Sequence, residues 1–83
     1  MKNGFMTDLE LRPYLEKMHQ CAEQMPVAIP FGIEDLLSAE DWEEITYHGH
    51  VTLGQYFKNR VDTGKVKNIH VYSEDRPKQY IRR

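Results

Sequence analysis

The side chains best suited to recognition chemistry lie close together in the second half of the chain. They are polar, follow helical spacing and comprise Thr52, Gln55, Lys58 and Asn59. Gln and Asn side chains can pair bidentately with adenine in the major groove of DNA, and a lysine can reach guanine or a phosphate. The competing interpretation is an ordinary solvated helix face. We expect these four residues to contact DNA.

Basic residues are concentrated after this segment. They are Lys65, Lys67, Arg76, Lys78, Arg82 and Arg83. Cations beside a hairpin turn can contact phosphates or enter the minor groove. The alternative is that they protect exposed strand edges from aggregation. We expect phosphate contacts from these six residues.

Charge is divided unevenly along the chain. Residues 1–54 carry a net charge of −7 and residues 55–83 one of +5, so the total of −2 conceals an asymmetry. Such a split indicates that one face meets an anion. It is equally consistent with two solvated faces of opposite sign that attract each other in the fold.

The sequence has no pattern typical of a metal site or a catalytic centre. His48 and His50 could supply two ligands, but His19 and Cys21 are two residues apart on a helix and face different ways. There is no paired CxxC or HxxxH spacing, no phosphate-binding loop and no nucleophile motif. We therefore expect no metal, no cofactor and no enzymatic activity.

A dense acidic cluster surrounds the single tryptophan, Trp42. Its members are Glu40, Asp41, Glu43 and Glu44. The cluster could be a protein-docking surface or a mimic of nucleic-acid charge. The simpler explanation is helix capping and solubility, because acids stabilise a helix N-terminus.

An amphipathic helix is predicted over residues 8–25. Thr7 and Glu10 have the spacing of a capping box. Apolar residues then recur at helical spacing: Leu11, Tyr14, Leu15, Met18, Ala22 and Met25. Pro13 should either kink this helix or mark its true first turn.

The middle of the chain is predicted to hold short elements. Prolines confine residues 26–31 to an edge strand or an extended connector. Residues 33–37 should make one helical turn, and Ser38 should cap a second short helix. Residues 47–50 are predicted to form a turn, followed by a helix that ends before Gly64.

The last part of the chain alternates between apolar and polar residues, which predicts strands. Ile69 and Val71 share one side of the first strand, and residues 78–82 form the second. A hairpin needs a partner layer, so it should pack on the helices.

The order of these elements predicts an α+β fold of the winged helix-turn-helix type. It would have three helices and a small antiparallel β-wing over residues 65–83, in a single domain over residues 1–83. A third helix can then lie in a DNA groove while the hairpin supports it from the side.

A set of aromatic, glycine and aliphatic positions resembles a known family. The residues that carry the resemblance are Phe31-Gly32-Ile33-Glu34-Asp35-Leu36-Leu37, Trp42, Leu53-Gly54-Gln55-Tyr56-Phe57, Val61, Gly64 and Tyr80. Over about residues 29–83 they resemble small bacterial and phage proteins known only as a domain of unknown function. The resemblance implies a winged helix and no established activity. Relatives tend to carry basic residues before the Leu-Gly pair, whereas residues 47–52 contain no Lys or Arg.

Two functions of different classes fit these patterns. The first is a DNA-binding regulator of transcription, forming a homodimer through its N-terminal helix. The second is a winged-helix protein-interaction module, such as a phage-type inhibitor of a host factor, that works through its acidic face. We expect a cytoplasmic protein, because there is one cysteine, no apolar run of signal-peptide length at the N-terminus and no apolar stretch that could span a membrane.

Overall fold

A computed structural model describes residues 4–75 and 78–83. Within them, three α-helices and a two-stranded antiparallel sheet follow one another: α1 Asp8–Ala22, α2 Ala39–Glu44, α3 Tyr47–Asp62, β1 Ile69–Ser73 and β2 Gln79–Arg82. A 3₁₀ turn spans Ile33–Leu36 between α1 and α2. The predicted α+β class is confirmed, and the order is compatible with a winged helix-turn-helix. None of the helices in these residues is long and apolar enough to cross a membrane.

Helix α1 begins at the predicted capping box and continues through its proline. The Thr7 hydroxyl accepts the N–H of Glu10 at 3.3 Å, and the Glu10 carboxylate accepts the N–H of Thr7 at 3.0 Å. The helix ends at Ala22, three residues before the predicted end, and contains Pro13. Pro13 therefore does not begin the helix. Pro13 and Leu9 are both exposed, and the Leu9 carbonyl lacks its usual helical donor because proline has no N–H.

One hydrophobic core holds α1, α3 and the hairpin together. Helix α1 contributes the predicted apolar stripe, and α3 contributes Leu53 and Phe57, which are both fully buried. The residues of the core are Leu11, Leu15, Met18, Ala22, Phe31, Leu36, Ile45, Leu53, Phe57, Val66, Ile69 and Tyr80. This core fixes one side of α3 and leaves the opposite side facing outward.

Strand β2 is paired on both sides. Along one side it is antiparallel to β1, with Ile69 opposite Arg82. Along the other side it meets the connector, residues 27–31. There the N–H of Phe31 donates to the Tyr80 carbonyl at 2.9 Å and the N–H of Tyr80 donates back at 2.8 Å. The connector is thus bonded to the sheet, but the extended conformation predicted from its prolines is interrupted at Ala28, which has a φ of +68°.

The predicted turn over residues 47–50 is wrong, because these residues form the first turn of α3. Thr46 caps the helix, and its hydroxyl accepts the N–H of Gly49 at 3.1 Å. Gly49 is buried, and a Cβ there would lie 2.6 Å from Ile45 and 2.9 Å from the sulfur of Met6. The glycine therefore permits close packing inside a helix, although glycine among polar residues is typical of a turn.

Arg60 links α3 to α1. Its guanidinium donates to Glu16 at 2.7 Å and to Nδ1 of His19 at 3.0 Å. Because arginine only donates, the neutral ring of His19 carries its proton on Nε2, which lies 3.3 Å from Glu23. Glu23 also accepts the N–H of Lys67 at 3.0 Å. The Arg60 guanidinium lowers the pKa of Glu16, and the Lys67 N–H lowers the pKa of Glu23.

These two lowered pKa values predict that the free energy of unfolding decreases at acidic pH. A carboxyl whose pKa is lower in the folded than in the unfolded state stabilises the fold at neutral pH and loses that contribution as the pH falls. We expect the free energy of unfolding, measured by urea denaturation, to decrease below a pH of about 4.5. The E16Q/E23Q variant should be less stable at pH 7 and should vary less with pH. A pH profile parallel to that of the unmodified chain would contradict this account.

Two glycines of α3 provide a matched test of the packing. A Cβ on Gly54 would meet only Ile33, at 3.4 Å, whereas one on Gly49 would require its neighbours to move. Gly54→Ala should raise the free energy of unfolding by up to about 1 kcal/mol through helix propensity. Gly49→Ala should lower it by about 1–3 kcal/mol through overpacking. Equal effects in thermal or urea unfolding would show that Gly49 is not confined as described.

Candidate functional site

An open groove of about 760 Å³ lies between α3, the 3₁₀ turn and the hairpin. It brings together four of the predicted DNA-contacting residues: Gln55, Lys58 and Asn59 from α3 and Lys78 from the hairpin. Ile33, Val51 and Tyr80 contribute apolar surface to the same groove. The structure therefore assembles amide and ammonium groups from two elements that are distant in sequence.

The direction of the α3 side chains follows from its buried face. Gly49, Leu53 and Phe57 face the core, so Gln55 and Asn59 are exposed on the other side. Thr52 does not line the groove, and its hydroxyl donates to the carbonyl of His48 at 2.8 Å. Thr52 thus lies outside the groove with its hydroxyl donor already used within the helix.

Both lysines of the groove are paired with carboxylates. Lys58 lies 2.7 Å from Asp62, and Lys78 lies 3.9 Å from Glu74. The Asp62 carboxylate raises the pKa of Lys58. With Glu34, which also lines the groove, three carboxylates stand against two ammonium groups among its lining residues. The groove is accordingly not a positive surface.

The other predicted basic residues lie at the opposite end of the hairpin. Arg82 is half-buried and donates to the carbonyl of Met25 at 3.0 Å. Lys65, Lys67 and Arg83 are exposed. Because β1 starts and β2 ends at this side, the sheet separates these cations from the hairpin turn beside the groove. Arg76, also predicted to contact phosphate, lies outside the described residues.

Two exposed apolar residues on α3 were not predicted, and one of them, Val51, lines the groove. Tyr47 is 66% exposed and Val51 is 45% exposed, both on the outward side of the first two turns. Tyr47 was missed because residues 47–50 were predicted to form a turn. The signal was present, since Thr46 three residues before Gly49 has the spacing of an N-cap.

The histidines and the cysteine are not gathered at one place. His50 Nε2 lies 3.0 Å from the Trp42 carbonyl, and His19 is held between Arg60 and Glu23. Across the described ranges, no group of three His, Cys, Asp or Glu side chains is placed to hold a metal ion.

The homodimer prediction rested on the apolar stripe of α1, but this stripe is buried in the core of the chain itself. Leu11, Leu15 and Met18 are at most 8% exposed and pack in the core. The large apolar residue that α1 leaves exposed is Leu9, at 76%. A second copy would therefore have to contact the outer side of α1, beside Leu9.

Residues 16–81 match the sequence profile of the family described as Domain of unknown function (DUF1413). The chain belongs to this family. The match begins inside α1, earlier than the resemblance had indicated, and ends in β2, so the DUF1413 domain includes both walls of the groove. No curated protein and no solved structure matches the chain.

Tyr80, which lies between the core and the groove, should ionise at a higher pH than an exposed tyrosine. Burial raises its pKa from 10.0 to about 12. A raised folded-state pKa means that the neutral phenol stabilises the fold, and this contribution is lost as the pH rises from 10 towards 12. Ultraviolet titration of the five tyrosines should show one that ionises last, or ionises together with unfolding.

Tyr80→Phe is the matched variant for this titration. It should remove the last step while retaining the ring in the core, and its stability should fall less steeply with alkaline pH. If the last tyrosine to ionise persists in this variant, Tyr80 is not the buried phenol.

Proposed function

We propose that this chain is a winged-helix protein of bacterial or phage origin that binds duplex DNA in the cytoplasm, without catalysis, and regulates transcription. In this proposal α2 and α3 form the helix-turn-helix, α3 is the recognition helix, and the β1–β2 hairpin is the wing. Ile45 and Thr46 alone separate α2 from α3, a connection shorter than the turn of about three to four residues that is typical of such a motif.

The observation that best supports the proposal is the composition of the groove. Gln55 and Asn59 are exposed on α3 and line the same groove as Lys78 of the hairpin. A helix in the major groove presents amide side chains to base edges, and a neighbouring hairpin can reach the sugar-phosphate backbone. Amides, which carry no charge, would therefore read the bases, and few cations would hold the phosphates.

Asp62 and Glu74 determine how strongly DNA should bind. A phosphate that takes Lys58 or Lys78 must displace the carboxylate partner, and an exposed ion pair contributes up to about 1 kcal/mol. The carboxylates also repel the phosphates of the duplex. We therefore expect a modest affinity and fewer phosphate contacts than a strongly basic domain would make.

Fluorescence anisotropy with a labelled duplex of mixed sequence tests the proposal. Binding should be measurable at 50 mM salt and weaker at 200 mM salt, by about 40-fold if about three phosphates are contacted. Lys78→Ala should remove about one phosphate contact, which reduces the slope of log affinity against log salt concentration by about one. Absence of binding at the lower salt concentration would contradict DNA binding.

Removing a groove carboxylate should strengthen DNA binding. Asp62→Asn and Glu74→Gln each release a groove lysine, and each should raise the affinity about threefold to fivefold. Glu43→Gln on the exposed surface of α2 is the control, because it changes the net charge equally but lies outside the groove. Equal gains from all three variants would indicate a general charge effect and would contradict a DNA contact in the groove.

A protein-interaction module is the second candidate, and one observation favours it. The lining residues of the groove hold more carboxylates than ammonium groups, and Val51 exposes apolar surface there. In this form the domain would act through its acidic side, for example as an inhibitor of a host factor. Failure of duplex DNA to bind at low salt would favour this candidate.

A further inference from the structure

A second hollow of about 360 Å³ adjoins the groove, between α2, the 3₁₀ turn and α3. Its lining residues are Ile33, Glu34, Trp42 and His50. The indole N–H of Trp42 donates to the Glu34 carbonyl at 2.8 Å, and the ring meets that of His50 edge-on with centroids 4.3 Å apart. His50 Nε2 in turn donates to the Trp42 carbonyl at 3.0 Å. These contacts hold the indole in a fixed place at the wall of the hollow.

One carboxylate, that of Glu34, lines this hollow. Glu34 is exposed, and among the described residues its carboxylate has no ion pair and accepts no hydrogen bond. Glu40 and Glu43 are exposed on α2, on either side of Trp42 in sequence. The lining residues include no Lys or Arg. A cation would gain favourable electrostatic energy here, whereas a phosphate would be repelled.

We propose that this hollow binds a basic segment of a partner protein. A Lys or Arg side chain lies along the indole of Trp42 with its charged end at Glu34, and an apolar neighbour in the segment packs on Ile33. An indole face is the best aromatic partner for a cation, and the aliphatic stem of Lys or Arg packs well on apolar surface. This inference does not depend on DNA binding, because α2 and the 3₁₀ turn supply the surface.

Trp42 itself reports on occupancy, since it is the only tryptophan of the chain. The probe is a blocked peptide of four Lys or Arg and two Leu residues, titrated into the full chain while indole emission is recorded. The control probe has Glu and Asp in place of Lys and Arg. We expect a saturable change with the basic peptide alone. No saturable change up to about 1 mM peptide, or equal binding of the acidic peptide, would overturn the proposal.

Two variants locate the bound cation. Glu34→Gln should weaken the basic peptide about threefold to fivefold, whereas Asp75→Asn, an equal charge change near the hairpin turn, should leave its affinity unchanged. Calorimetry of the Trp42→Phe variant should show about threefold weaker binding of the basic peptide, because phenyl is a poorer cation partner than indole. Equal effects of Glu34→Gln and Asp75→Asn would show that only net charge matters and would overturn the proposal. So would a change of the Trp42 emission with duplex DNA that matches the change with the basic peptide.

Discussion

Tyr80 is the residue at which the separate parts of the fold meet. Its backbone bonds to Phe31 of the connector while β2 pairs with β1, and its ring packs edge-on against Phe57 of α3 with centroids 5.0 Å apart. Phe31 lies on the same ring at 6.2 Å between centroids. These contacts set the distance of the hairpin from α3, and the groove is the space that this distance leaves. A domain of 83 residues buries a small core, so one such junction has a large influence on its shape.

Local signals predicted the elements that local chemistry determines. The capping box of Thr7 and Glu10 correctly located the start of α1, and the alternation around Ile69 correctly indicated a strand. Gly64, with φ of +76°, ends α3 as expected of a glycine beyond a helix end. The start of α3 was misjudged because Gly49 is required by close contacts with Ile45, just before the helix, and with Met6, which is distant in sequence.

The charge of the groove depends on residues that are far apart in the sequence, and it could not be predicted from the sequence. The side chains of Gln55 and Lys58 were predicted on one helix face, and both line the groove. Their acidic surroundings were not predicted, because Glu34 and Glu74 reach the groove from two distant segments. Arg82 was expected to meet phosphate, yet its guanidinium bonds to a backbone carbonyl beside α1. The positive charge of the second half is therefore dispersed over two ends of the hairpin.

In the proposed function, this distribution of charge favours recognition by amide groups over attraction by net charge, and the hollow beside Trp42 would bind a different partner. The most direct measurement of the central claim is a two-dimensional amide spectrum of the labelled chain, recorded as duplex DNA is added at low salt. The account predicts that the largest changes fall on Gln55, Asn59 and Lys78, which line one groove. Changes confined to α1 and α2, or no changes at all, would contradict it.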